Sequence, residues 1–191
     1  MSDVERPAPG RRPTASILAR ALPGTAREVE QFVAAGGWDQ PPHLFALVPT
    51  HLLLESRPAL VSQLDAGSTL TPVAQEPLPE GERSLESIEW PETVAGCALV
   101  REIVVLPPEA EEELGGLPED PEEARRAVVD HPGRQEARLV AAVLRNGTGA
   151  CLLRVRGAGG VPPGEDADED QLIERNDLAP NLIRALLATL R

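Results

Sequence analysis

The chain contains no lysine and no tyrosine, and its aromatic side chains are Phe32, Trp38, Phe45 and Trp90 alone. None follows Trp90, so the core must be built from Leu, Val and Ala. All 18 basic residues are Arg, set against 31 acids, for a net charge of −13. Such a chain repels phosphate, which argues against a nucleic-acid partner and against an anionic membrane surface. Cysteine is scarce: Cys97 and Cys151 sit inside apolar runs and read as buried free thiols, not as a secreted disulfide framework. No apolar run approaches the roughly 18 residues of a membrane span. Ala15 to Ala19 is too short for a signal-peptide core. A cytoplasmic protein is the expectation.

Apolar residues nevertheless make up 41% of 191 residues, enough for a sizeable core and one domain by default. The organising stretch is Arg134 to Arg156. Two apolar runs flank Asn146-Gly147, a pair that favours a two-residue type I′ turn. That turn sets Val143 opposite Ala150 and Val140 opposite Leu153. Both faces are then largely apolar, which describes a hairpin inside a covered sheet.

Around this hairpin the remaining elements fall into order. Residues 1–13 read as a disordered tail. Thr14 to Leu22 forms a short helix that Pro23-Gly24 stops, and Thr25 with Glu28 starts a second one as a capping box. Leu44 to Val48 is a strand. Thr50 caps a helix, and Pro58 restarts it. Residues 65–83 read as a long mobile loop. Val94 to Leu106 is the longest strand, with a bulge or exposed edge at Arg101 and Glu102. Asp120-Pro121-Glu122-Glu123 is a helix start. Residues 157–170 form a mobile Gly/Pro and acid-rich loop. Asn176 or Asp177 caps a final helix whose stripe of Leu182, Ile183, Leu186, Leu187 and Leu190 docks on the sheet. The expected fold is α+β: residues 14–191 as a single domain, with four or five mostly antiparallel strands and helices on at least one face.

Chemistry is harder to find. There is no phosphate loop, and Gly157 to Gly160 is a linker. His43, His51 and His131 are scattered, and a metal site joining Asp39, His43 and His51 is not expected. Neither thiol has a polar setting for nucleophilic work. No catalytic residue, cofactor or metal is therefore assigned. The acid run Glu165 to Asp170 lacks the calcium-loop pattern. The stretch that stands apart is Trp38 to Phe45. Trp38, Asp39, Pro41, Pro42, His43 and Phe45, joined by Trp90, form either a sealed core edge or a protein-binding surface with aromatic anchors.

Four blocks, GWDQPPHLFALVPT (37–50), LTPVAQEPLP (70–79), WPETVAGCALVREIVVLPPEAE (90–111) and HPGRQEARLVAAVLRNGTGACLLRVR (131–156), together resemble a family of actinobacterial proteins of unknown function. The resemblance runs from about Arg27 to Arg191. It implies a single-domain cytoplasmic protein and transfers no activity. The leading expectation is a non-catalytic protein-binding adaptor or escort, as monomer or homodimer, with another protein as partner. The alternatives are a small enzyme with a site around Asp39 and His43, and an acidic inhibitor or immunity-type protein covering a basic partner.

Overall fold

A computed structural model describes residues 13–76, 85, 87–157 and 171–191. Its centre is a six-stranded antiparallel sheet in the order β2-β1-β3-β4-β5-β6. The strands are β1 (His43–Pro49), β2 (Leu70–Ala74), β3 (Gly96–Val105), β4 (Gln135–Leu144), β5 (Gly149–Val155) and β6 (Gln171–Glu174). Helices α1 (Ala15–Ala34), α2 (Thr50–Ser56), α3 (Pro108–Glu113), α4 (Pro121–Asp130) and α5 (Pro180–Thr189) complete it, with a 3-10 turn at Pro58–Ser62. The α+β class holds, with six strands instead of four or five. The two that escaped the sequence reading are the edges.

Each sheet face has its own core. Leu22, Ala26, Val29 and Val33 of α1 cover Phe45, Leu47, Ala98, Val100, Val140, Ala142 and Leu152. On the other face Leu186 of α5 and Leu190 just after it cover Ala46, Cys97, Leu99, Ala141, Val143 and Cys151. A strand covered on both sides needs apolar residues at consecutive positions. That is why β1, β3, β4 and β5 lack clean alternation.

Several local expectations are corrected. Helix α1 runs unbroken through Pro23, although proline leaves the Ala19 carbonyl without its intrahelical donor. Leu22, Ala26, Val29 and Val33 recur at helical spacing on both sides of it, and burying them offsets a penalty of about 3 kcal/mol. Thr25 is consequently no cap, and its hydroxyl donates to the Ala21 carbonyl at 3.1 Å. The hairpin turn has three residues, not two. Leu144 N–H donates to Thr148 O at 2.9 Å, and Gly147 alone takes a positive φ, of 85°. This turn-plus-bulge loop shifts the register by one, so Val143 faces Gly149 and Val140 faces Leu152.

Residues 65–83, read as one loop, contain β2, paired with β1 from Phe45↔Ala74 to Pro49↔Leu70. The ladder of β3 with β4 runs without a bulge from Gly96↔Leu144 to Val105↔Gln135, straight through Arg101 and Glu102. Helix α5 starts without a side-chain cap, because its cap position is Ala179, and Asp177 instead pairs with Arg175 at 2.8 Å. The Asp120 cap on α4 forms as read, accepting from the N–H groups of Glu122 and Glu123. Of the two loops read as mobile, 158–170 lies outside the described residues, as do 77–84 and the first twelve residues of the tail.

Candidate functional site

Strand pairing places three charged side chains in a row on the α1 face. Glu102 of β3 lies opposite Arg138 of β4, which lies opposite Arg154 of β5. Glu30 of α1 comes down on this row. Both its oxygens accept from Arg154, at 2.6 and 2.8 Å, and Arg138 Nη1 lies 3.6 Å from Oε1. Glu30 and Arg138 are almost fully buried, their side chains 2% and 1% exposed. Arg138 Nη2 also reaches Glu102 at 3.4 Å and donates to the Gly37 carbonyl. Charges at this depth persist because each is paired and hydrogen-bonded.

The network holds the loop between α1 and β1. Asp39 stands at φ 65°, a left-handed conformation that Asp tolerates better than most residues. It is held there because Glu102 accepts from the N–H of Asp39 at 2.9 Å and of Gln40 at 3.3 Å. Gln40 donates to the carbonyls of Val33 and Gly37 and bonds His43 Nε2 at 3.1 Å. Trp38, half-buried, then lies against two guanidinium groups, Arg138 at 4.5 Å from the ring centroid and Arg156 at 5.3 Å. These are cation–π distances. Arg156 pairs with Glu136 at 2.5 Å and stands 3.6 Å from Asp39. Glu136 holds its guanidinium firmly charged, with lesser help from Asp39 and Glu102.

The residues singled out from the sequence therefore divide. Trp38, Asp39, Pro41, Pro42 and His43 share one loop and its exit into β1, with Asp39 and both prolines exposed. Asp39 and His43 do not pair. One faces Arg156 and the other Gln40. Phe45 is in the core beneath α1, edge-on to Phe32 at 5.9 Å. Trp90 belongs to a different place, donating to Thr189 Oγ1 at 2.9 Å. There Arg145 ties the hairpin tip to the turn before β3 and to α5, donating to the carbonyls of Val94, Pro91, Trp90 and Leu190. Trp90 thus packs, partly buried, against the core on the α5 side of the sheet. The sequence reading missed Glu30, Glu102, Glu136, Arg138, Arg154 and Arg156. A signal existed: Glu136 with Arg138, and Arg154 with Arg156, are spaced by two and so share a strand face.

Elsewhere, a cavity of about 180 Å³ lies between Pro23 and Ala26 of α1, Cys151 of β5 and Arg175. Burial pushes the Cys151 thiol above its usual range, and Cys97 is pushed from 9.0 up to about 12 by burial. Cys97 lies 3.9 Å from the Thr189 hydroxyl. Neither supplies a thiolate near neutral pH. A thiol reagent at pH 8 should label Cys97 only once denaturant is added, and labelling within seconds in buffer would contradict its burial. Because the folded value lies above the unfolded one, the contribution of Cys97 to stability is intact below pH 9 and lost as pH rises toward 12.

Among the described residues, no helix is long and apolar enough to cross a membrane. The model of the PPA1309-like protein family matches residues 22–191, and no curated protein or solved structure shows a significant match.

Proposed function

We propose that this chain, a member of the PPA1309-like family, is a non-catalytic binding protein of the adaptor or escort kind. We place its recognition surface at the Trp38 loop. The observation that carries this reading is the setting of Trp38, half-exposed on a buried Arg138 and followed along the same loop by exposed Asp39, Pro41 and Pro42. A rigid aromatic anchor, whose ordering cost is met on folding, is what interface hot spots are made of. The separate partners of Asp39 and His43 favour this over an enzyme built on that pair. A cytoplasmic setting accords with two free, buried thiols, and an actinobacterial source with an all-Arg, Pro-rich composition. The partner is another protein, and the acidic-inhibitor reading differs from this one only in requiring a basic partner.

The test changes the rim and spares the fold. Asp39→Asn keeps a residue suited to φ 65°, and Glu136→Gln neutralises the second rim acid. Both side chains are more than half exposed, at 78% and 58%. The double variant should melt within a few degrees of wild type and lose the partner that wild type recovers by affinity capture. A folded double variant that keeps every partner would rule the surface out. Repeating the capture in high salt separates the inhibitor reading, since charge-driven association weakens as salt screens it.

A further inference from the structure

The two edges of the sheet are built differently. Along β2, the bond from Gln75 N–H to Leu44 O sets which residues face β1, so Leu70, Pro72 and Ala74 face outward. Pro72 has no N–H, and the Leu70 carbonyl already accepts from the Ser68 hydroxyl at 2.8 Å. That edge is blunted. Along β6, Arg175 N–H donates to Cys151 O, so Ile173 and Gln171 face β5 while Leu172 and Glu174 turn their backbone groups outward. β6 has no proline and no lysine, and the outward Leu172 is 40% exposed. Glu174, its one acid, is bound bidentately by Arg27, which lowers its affinity for protons and balances the strand's own charge.

We propose that the outer edge of β6 is a self-association surface, on which a second copy of this chain pairs its own β6 antiparallel. Closure is twofold and isologous, and the two sheets become continuous. Centred on Ile173, the pairing sets Ile173 against its own counterpart. It sets Leu172 against Glu174 and Gln171 against Arg175 of the second copy, so no like charges meet. The outward groups of Leu172 and Glu174 supply the hydrogen bonds. This inference does not rest on the Trp38 surface.

Sedimentation velocity at tens of micromolar tests it, with thermal melting as the control for folding. Wild type should sediment at twice the monomer mass and dissociate on dilution. Leu172→Pro removes an N–H that makes no bond to β5, so it should give a monomer at least tenfold less prone to associate, still melting cooperatively. Leu172→Glu should do the same, by facing Glu174 of the other copy, whereas Leu172→Arg should keep the dimer. A wild type that stays monomeric at all concentrations overturns the proposal. So does a Leu172→Glu variant that dimerises as well as Leu172→Arg, or a Leu172→Pro variant that unfolds because the edge is paired within its own chain.

Discussion

Replacing Arg138 with Met should cost about 3–5 kcal/mol, the usual penalty for removing one partner of a buried ion pair. For a chain of this size that lowers the melting temperature by on the order of 10 °C. The methionine fills much of the volume, so the loss is electrostatic. Glu30, 2% exposed, would keep Arg154 but lose its buried cation. Glu102 would keep the two backbone N–H groups of the Trp38 loop. The Gly37 carbonyl would lose its guanidinium donor and Trp38 the cation nearest its ring. Partner capture should fall along with stability. Combining Glu30→Leu with Arg138→Met should cost less than the sum of the two single changes, since the contact that they share is lost only once. Calorimetry on the two single variants and the double measures the coupling, and a single Arg138→Met variant melting within 2 °C of wild type would show that the network contributes little.

The second large effect is expected at Leu152. This side chain is 2% exposed under α1, opposite Val140, which is fully buried. Leu152→Ala should cost about 2–5 kcal/mol through lost burial and the cavity left behind. Leu152→Asp should abolish cooperative folding, because it sets a carboxylate against the buried Val140 and Ala142 and opposite the like-charged Glu174 of β6. Its neighbour Leu153 is only half-buried, on the opposite face, paired with Leu139 and Ile173. Leu153→Asp should therefore leave a folded protein of reduced stability. Circular dichroism during urea titration distinguishes the two, and equal behaviour would mean that the α1 face is not the tighter of the two cores.

How far the sequence carried the fold can be traced element by element. The middle strands and α5 were legible because their apolar positions are dense and their ends marked by Pro, Gly or a cap. The Asp120 start of α4 was legible for the same reason. Edge strands were not. Leu70–Ala74 contains a proline and Gln171–Glu174 has four residues, so neither shows a period long enough to stand out from a loop. Pro23 misled because a local rule about proline competes with packing, and packing won. Asn146-Gly147 marked the hairpin correctly, but the dipeptide serves in both a two-residue turn and a three-residue turn with a bulge. The loop around Trp38 stood out by composition. Its supports did not, since Glu30, Glu102, Arg138 and Arg154 come from four elements and meet only through strand register.

The strand order also has a kinetic side. Four of the five ladders join strands that follow one another along the chain, and only β1 with β3 must reach past β2. Pairing can spread between sequence neighbours outward from the tight β4–β5 hairpin, which favours assembly over a fold of remote pairings. Helix α1 is the exception. It docks on β4 and β5, about a hundred residues further on. On any route where the sheet forms first, Phe45, Val100, Val140 and Leu152 face water until α1 docks. That interval is when the chain is most prone to aggregate, and it ends only when the first helix finds a platform built from the second half of the sequence.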